Sequence, residues 1–345
     1  MKTEKRVLAS LEGIYSTSVV TLGGRQYLIG ASENVGKATL LLRADGSGSS
    51  VICDAPGGVM NVVQMPGSDE LLSITDFFPI FKSEGASVYR LTPASGRLDA
   101  WERKKALTIP FVHRIGIVRG ASGRPFLLAS TLCESKAYQD DWSKPGSVYV
   151  TPIPASPAQE WSLAPVFSGL TKNHGLFIQD ERVAYVAAEE GIVRLDFSKY
   201  SDGGRPESDF ISRVPSSDLF MADIDGDGVL EAAVIEPFHG DGLALYKLRD
   251  GGMENLYRDA ICFGHAIWIG TLRGVPSMLV GNRGGKKELL LYRNRSKGLA
   301  ASAWEKTVID EGGGPTQVSV LFEGDRPCVL SANHETGEAV LYRLA

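Results

Sequence analysis

The sequence predicts an all-β protein, a seven-bladed β-propeller of four-stranded blades. Three observations predict this fold: a segment that recurs along the chain, glycine spread through the whole length, and two ends that complement each other. Of the 345 residues, 39 are glycine, against a usual share of about 7%. These glycines neither cluster nor follow a collagen period, and they indicate many tight turns between short strands.

A segment rich in tyrosine, leucine and arginine recurs seven times. Its anchor residues stand 47, 60, 45, 52, 46 and 50 residues apart, a mean of 50. Each unit predicts four strands in the same order: a short alternating run, a continuous apolar run, the anchor-bearing strand and an amphipathic strand. The inner strands are apolar on both faces, as expected where each blade packs between two others. The anchors are Leu42, Tyr89, Tyr149, Arg194, Tyr246, Tyr292 and Tyr342.

The two ends of the chain predict how the ring closes. The last unit stops after its third strand, Ala339–Arg343, and the N-terminal run Glu4–Leu8 resembles the fourth strand Glu305–Ile309. We therefore expect the N-terminal strand to complete the last blade, which leaves no open edge. Residues 1–345 then form a single propeller domain, with two unrelated β-sandwich domains as the alternative.

Composition argues against several classes of protein. Lysine and arginine total 36 against 41 aspartate and glutamate residues, a net charge of −5, so nucleic acid is not expected as a partner. No apolar run approaches the ~18 residues of a membrane span, and the N-terminus lacks the apolar stretch of a secretory leader, so no membrane partner is expected. The four cysteines stand far apart, and we expect reduced thiols in a cytoplasmic protein.

An acidic loop separates the first two strands of the fifth unit, with carboxylates spaced as D-x-D-G-D-G-x-x-E. Oxygen ligands at alternate positions suit Ca²⁺, but the twelfth loop position is Val234, so the loop is not an EF-hand. The pattern resembles the FG-GAP or VCBS repeat of β-propellers, which implies a structural Ca²⁺ site, with a metal-free turn as the alternative. The candidate ligands are Asp223, Asp225, Asp227 and Glu231.

Three of the five histidines fall at the same point of the repeat, the start of a first strand: His113, His174 and His265. First strands line the central channel of a propeller, so we expect these imidazoles to converge at one mouth, the funnel. Neutral imidazoles there would bind Zn²⁺, Mn²⁺ or Fe²⁺ and leave a position open for water or substrate. The expected cofactor of the funnel is a divalent metal: Zn²⁺, Mn²⁺ or Mg²⁺. Acid–base catalysis is the alternative role. In other units the equivalent positions are assigned to Ser16, Asn61, Leu219 and Thr316.

Further polar and aromatic residues are expected around the same mouth. The end of each second strand returns to this face, and the loops that follow, above all residues 133–146, would act as lids or as contacts between copies of the chain. Glu134 and Arg283 are candidate catalytic residues beside the three histidines. The candidate substrate-binding residues are Lys136, Tyr138, Trp142, His239, Trp268 and His334.

The run Cys262–Gly270, followed by Val280–Gly284, resembles the propeller domain of aldos-2-ulose dehydratase and related FG-GAP-containing proteins. The resemblance implies elimination of water from keto-sugars with bound metal ions, and it implies that His174 and His265 belong to the substrate site. The cupin domains of the full enzyme are absent from this sequence, so an isomerisation step assigned to those domains is not expected.

These observations together predict a metal-dependent lyase that acts on a sugar-derived carbonyl compound at the funnel. The sequence has no G-x-S-x-G, H-E-x-x-H or P-loop motif, which argues against the enzymes that carry them. An epimerase or isomerase would use the same proton abstraction, and a non-catalytic, calcium-stabilised interaction module is the alternative from another class. The expected partner is a small carbohydrate, and assembly into a homo-oligomer is left open.

Overall fold

The computed structural model describes residues 3–156 and 159–345, which form seven four-stranded antiparallel sheets. We call these sheets blades 1 to 7 in chain order. In blades 1 to 6, the four strands are hydrogen-bonded in the order in which they occur in the sequence. This arrangement confirms the predicted all-β propeller of four-stranded blades.

The first half of the chain forms one N-terminal strand and the first three blades. The N-terminal strand is β1 (Thr3–Ser10). Blade 1 consists of β2 (Ile14–Leu22), β3 (Arg25–Ser32), β4 (Thr39–Leu42) and β5 (Ser49–Cys53). Blade 2 consists of β6 (Val62–Gln64), β7 (Leu71–Thr75), β8 (Ser87–Pro93) and β9 (Trp101–Thr108). Blade 3 consists of β10 (Val112–Arg119), β11 (Pro125–Thr131), β12 (Gly146–Pro152) and β13 (Ala164–Leu170).

The second half forms the remaining four blades. Blade 4 consists of β14 (Gly175–Gln179), β15 (Val183–Ala188), β16 (Gly191–Asp196) and β17 (Glu207–Ser212). Blade 5 consists of β18 (Asp218–Ala222), β19 (Glu231–Glu236), β20 (Gly242–Arg249) and β21 (Gly252–Ala260). Blade 6 consists of β22 (Gly264–Leu272), β23 (Val275–Asn282), β24 (Leu289–Asn294) and β25 (Trp304–Asp310). Blade 7 contains β26 (Pro315–Glu323), β27 (Arg326–Asn333) and β28 (Glu338–Leu344).

The N-terminal strand completes blade 7 and closes the ring, as predicted. β1 pairs antiparallel with β28, from Thr3 opposite Leu344 to Ser10 opposite Glu338. The first strands of neighbouring blades contact each other all the way around, including β26 of blade 7 with β2 of blade 1. The first strands therefore line a central channel, and the two ends of the described chain lie in one sheet.

The core lies between the blades, because each sheet is covered on both faces. Two successive residues of β28 show this: Leu341 packs with Leu28 of blade 1, whereas Tyr342 packs with Leu279 of blade 6. Burying one large apolar side chain contributes about 1.5–3 kcal/mol. This two-sided burial explains why the inner strands are continuous apolar runs in the sequence.

The remaining chain is short turns and loops. The longest helical segment among the described residues is the 3-10 helix Ile80–Gly85. In residues 3–156 and 159–345, no helix is long and apolar enough to cross a membrane. All four cysteines are free thiols, as expected from their spacing.

Candidate active site

A β-bulge interrupts the first strand of blades 1, 3 and 6 at the same point. The pairing with the second strand skips Tyr15, His113 and His265, so each is the extra residue of its bulge. A bulge bends its strand and redirects a side chain, and bulges are frequent beside active sites. The three side chains meet across the channel, where the Tyr15 hydroxyl lies 3.0 Å from His113 Nε2 and 3.2 Å from His265 Nε2.

The backbone two residues before each of these side chains is left-handed. The backbone is also left-handed two residues before His174, and His174 is the residue of blade 4 that corresponds to Tyr15, His113 and His265. Tyr15 is therefore the blade 1 counterpart of the three histidines, and the assignment of Ser16 to that position is corrected by one residue. The repeat does not reveal the extra residue of a bulge. The left-handed residues are Gly13 (φ 63°), Phe111 (φ 57°), Lys172 (φ 52°) and Phe263 (φ 50°).

Three imidazoles form a compact cluster in the funnel. Ligand nitrogens of His174, His239 and His265 all lie within 4.8 Å of one another, and His174 Nε2 is 3.4 Å from His239 Nε2. Two nitrogens that are each about 2.0–2.1 Å from one tetrahedral ion lie about 3.3 Å from each other. His113 is not in this group of three, although its ring centroid is 4.2 Å from that of His174 and its Nε2 contacts the Tyr15 hydroxyl. Its role as a metal ligand stays a prediction.

His239 reaches the cluster from a loop. It follows β19, where its backbone N–H donates to Ser217 Oγ at 3.1 Å and its φ is 49°. Its ring stacks on Phe238, with centroids 3.9 Å apart, and on His265, with centroids 4.9 Å apart. The sequence predicted His239 around the mouth of the channel as a substrate-binding residue, and the structure brings it to the other histidines.

Carbonyl and carboxylate groups face the far nitrogens of two of these rings. His265 Nδ1 donates to the carbonyl oxygen of Thr316 at 2.7 Å. His174 Nδ1 lies 3.9 Å from the Asp218 carboxylate, which is 3.8 Å from the Arg114 guanidinium. Histidines that bind metals usually donate to such a group, because that bond fixes the tautomer and the ring orientation. His265 makes this bond, whereas the distance from His174 Nδ1 to Asp218 is longer than a hydrogen bond. The donor set therefore fits a divalent transition metal.

Burial keeps the imidazoles neutral. The pKa values of His113, His174 and His265 lie well below the ordinary histidine value because burial disfavours the charged form. His239 is the most exposed of the four, yet burial and nearby cations lower its pKa to about 3. Burial also raises the pKa of Tyr15 to about 12. The cluster thus presents neutral nitrogens, the form that binds metals.

Aromatic rings and two lysines cover His239. Trp142, in loop 133–146, meets Phe238 edge-on with centroids 5.8 Å apart. Lys136 Nζ lies 3.2 Å from the centroid of the Trp142 ring, and Lys172 Nζ lies 5.6 Å from that of Phe238. Two of the predicted substrate-binding residues, Lys136 and Trp142, therefore reach the histidines through Phe238.

Arg283 and His334 form a second polar group, between blades 6 and 7. Arg283 Nη2 donates to His334 Nδ1 at 3.1 Å, so His334 Nε2 is the donor to Glu33, at 2.6 Å. The guanidinium lies 5.8 Å from the centroid of the Phe263 ring, which is 5.0 Å from that of His239. One phenyl ring thus separates this group from the imidazole cluster.

Three other predicted residues have no described contact with the cluster. Glu134 and Tyr138 are exposed on loop 133–146, Tyr138 to 63%. Trp268 lies three residues beyond His265 along β22 and packs between blades, with its ring 6.3 Å from that of Phe220. Their catalytic or substrate-binding roles stay predictions.

The acidic loop lies between β18 and β19, at the end of the first strand away from the histidines, as expected. Asp218 begins β18 beside His174, whereas Asp223 follows the end of that strand. The Asp223 carboxylate accepts hydrogen bonds from the backbone N–H groups of Gly226 and Gly228, at 2.7 and 2.9 Å. These bonds curl the loop so that its other carboxylates point towards one place.

The ammonium group of Lys247 lies where these carboxylates converge. Lys247 of β20 holds Nζ 2.7 Å from Asp225, 2.7 Å from Asp227 and 2.6 Å from Glu231. Burial alone would lower the pKa of Lys247, but these carboxylates raise it above its ordinary value. The sequence pattern gave no warning of this contact, because Lys247 is on the third strand of the blade. The predicted Ca²⁺ site stays a prediction, and Ca²⁺ would have to displace Lys247.

Comparison with known proteins shows a fold but no family. No model of a known protein family and no curated protein matches the sequence. The fold is that of a β-propeller. A "putative 6-phosphogluconolactonase" from Bacteroides uniformis is similar over 94% of this chain and 90% of its own, with a TM-score of 0.54 and 13% identity. Its counterpart from Bacteroides fragilis is similar over 92% and 88%, with a TM-score of 0.56 and 12% identity.

A third similar structure is the extracellular domain of a "putative hybrid two component system" from B. thetaiotaomicron. The similarity covers 97% of this chain and 38% of that one, with a TM-score of 0.57 and 12% identity. Identities this low carry the fold alone. The resemblances to FG-GAP or VCBS repeats and to aldos-2-ulose dehydratase stay predictions.

Proposed function

We propose that the protein is a metal-dependent carbon–oxygen lyase that acts on a sugar-derived carbonyl compound in the funnel. The observation that carries the proposal is the cluster of His174, His239 and His265, with two Nε2 atoms 3.4 Å apart. These residues would hold a divalent ion such as Zn²⁺ or Mn²⁺. The ion would supply Lewis-acid polarisation of a carbonyl oxygen.

The reaction breaks a C–H bond beside the carbonyl group. Its electron pair forms a C=C bond while the β C–O bond breaks, and the leaving group departs as water or an alcohol after it gains a proton. A neutral imidazole or a rim carboxylate would accept the first proton. Arg283 and Lys136 remain the candidates to orient substrate oxygens. Trp142 and Phe238 would exclude water.

A sugar-type substrate is supported by two independent likenesses. The run Cys262–Gly270 resembles a keto-sugar dehydratase, and two proteins of similar fold are each described as a "putative 6-phosphogluconolactonase". Hydrolysis of a sugar lactone is therefore the second candidate, because the same centre would polarise a lactone carbonyl. Epimerisation shares the first proton transfer with elimination.

Elemental analysis of the purified protein tests the metal centre. The wild type is expected to carry one transition-metal ion per chain, and His239→Ala is expected to lose it. His113→Ala should retain the metal, because His113 is outside the group of three histidines whose nitrogens lie within 4.8 Å of one another. His334→Ala is the matched control, since this histidine is held by Arg283 and Glu33.

The reaction class is tested with the metal-loaded protein in D₂O. Keto-sugars and sugar lactones are supplied, and deuterium uptake beside the carbonyl group is followed by NMR together with product formation. Unsaturated products support the lyase, deuterium uptake without elimination supports an epimerase, and ring opening alone supports the lactonase. A wild type that holds only calcium and yields none of these products would point to the non-catalytic interaction module.

A further inference from the structure

The Tyr15 hydroxyl lies between two histidines, and the other partners of these rings indicate which way its proton points. His265 Nδ1 is 2.7 Å from the Thr316 carbonyl oxygen, which only accepts hydrogen bonds, so Nδ1 carries a proton. His265 is 1% exposed, and burial disfavours its charged form. The ring is therefore neutral, and Nε2 bears a lone pair. Across the 3.2 Å contact, Tyr15 must be the donor to His265.

The other contact of Tyr15 then has the opposite direction. A phenol has one proton, and that proton is already directed to His265. At 3.0 Å the Tyr15 oxygen therefore accepts a hydrogen bond from His113 Nε2–H. The order of donation is His113 to Tyr15 to His265. His113 thus holds the Tyr15 oxygen in position, and the O–H group of Tyr15 points away from His113, towards His265.

The lone pair that accepts the Tyr15 proton is the one that a metal ligand needs. Nε2 of His265 has a single lone pair in the ring plane, and Thr316 holds the other nitrogen in the protonated form. A hydrogen bond and a cation cannot use that lone pair together. Metal binding at His265 must therefore free the Tyr15 hydroxyl, which already stands beside the position of the ion.

We propose that Tyr15 is a hydrogen-bond switch whose hydroxyl passes from His265 to an oxygen atom of the bound ligand when a divalent cation occupies the histidine cluster. This inference rests on the proposed metal centre. Tyr15 is then a catalytic residue that donates to the oxygen on which negative charge develops, and His113 is its positioning residue. No group changes its ionisation in the exchange.

Cobalt binding provides the first test. Co²⁺ affinity is measured by competition with a chelator at fixed pH for the wild type, Tyr15→Phe and Tyr185→Phe. Tyr185 is the matched control, because it is buried and its hydroxyl donates to Gln179 at 3.1 Å. Tyr15→Phe is expected to bind Co²⁺ about two- to tenfold more tightly, since one neutral hydrogen bond no longer competes. Tyr185→Phe should match the wild type, and weaker binding by Tyr15→Phe would overturn the switch.

A small oxygen ligand tests the second half of the exchange. Acetohydroxamic acid is titrated into the Co²⁺-loaded proteins while the visible spectrum is followed. Tyr15→Phe should bind the probe about tenfold more weakly or worse, because a hydrogen bond to a charged oxygen is lost. Equal probe affinity in both proteins would overturn the switch and leave the metal centre intact. A wild type without Co²⁺ affinity would end both proposals.

The direction of the hydrogen bonds is tested without metal. ¹⁵N chemical shifts of the histidine rings distinguish a protonated nitrogen from a free one in the metal-free wild type. We expect the proton on Nε2 of His113 and on Nδ1 of His265. The opposite tautomer at His265 would overturn the inference whatever the variants do.

Discussion

Replacement of Lys247 by methionine leaves three carboxylates without their cation. Lys247 and Glu231 have side chains 5% and 0% exposed, and the removal of one partner of a buried pair costs about 3–5 kcal/mol. Asp227 is 49% exposed and contributes little, because solvent screens its interaction. We therefore expect Lys247→Met to lose about 3–5 kcal/mol of the free energy of unfolding, with most of the loss arising at Glu231.

Calcium distinguishes a missing cation from a packing defect. In chelator, the unfolding of Lys247→Met should start at lower denaturant concentration than that of the wild type, and Ca²⁺ should restore part of the difference by binding the freed carboxylates. The wild type should respond less than the variant, because Ca²⁺ would first have to displace the ammonium group from its loop. Lys306→Met is the matched control: Lys306 pairs with Asp259 at 2.9 Å but is 40% exposed, so the loss should stay below about 1 kcal/mol.

Acid and a second substitution test the same assignment. Burial raises the pKa of Glu231 above its ordinary value, so the folded variant binds a proton at this carboxyl more readily than the unfolded chain. The penalty of Lys247→Met should therefore be larger at pH 7 than in mild acid. The double variant with Glu231→Gln should recover most of the stability. A single variant as stable as the wild type in chelator would show that the ammonium group does not stabilise this loop. A wild type stabilised by Ca²⁺ as strongly as the variant would show the same.

Three further changes test the ring and the funnel. Gly57→Ala should cost about 1–3 kcal/mol of unfolding free energy and more than Gly24→Ala, because its Cβ would lie 2.0 Å from the backbone carbonyl oxygen of Asn34 whereas Gly24 faces open space; chemical denaturation of both measures this. Deletion of residues 1–10 exposes an edge of β28 and should lower the melting temperature, with recovery when the same residues are added as a peptide. Trp142→Ala should speed Co²⁺ uptake in stopped-flow absorbance, and an unchanged rate would show that the ring does not limit access to His239.

The fold could be predicted because one energetic rule repeats along the chain. Each blade must bury both faces. The same apolar strands therefore recur each time the chain has supplied enough residues for one blade. The anchor Tyr342 shows the rule: it is 1% exposed and packs against blade 6. The closure by β1 was also visible, because an edge strand without a partner needs a matching segment elsewhere.

The site could be predicted only in part. The sequence shows that units repeat, but it does not show how the first and second strands of each unit pair residue by residue. The alignment of units found His113, His174 and His265 but placed Ser16 where Tyr15 stands, since a bulge inserts one residue without a mark in the sequence. Gly13 is the one usable hint, because glycine favours the left-handed backbone that precedes each of these side chains. The approach of His239 depends on the fold of a loop, and a repeat carries no information on that.

The cost of the histidine cluster argues for a function beyond packing. Among the described residues, His174 Nδ1 has no hydrogen-bond partner, and the nearest carboxylate, that of Asp218, is 3.9 Å away. Each buried polar group left unsatisfied costs about 1–3 kcal/mol, and apolar side chains of similar size would fill a channel more stably. Further along the channel, the first strands of blades 4 and 5 show that this sequence can build such packing, with Phe177 of β14 against Phe220 of β18. Four neutral imidazoles, two of them in contact with Tyr15, are therefore best explained by a ligand that uses their nitrogens.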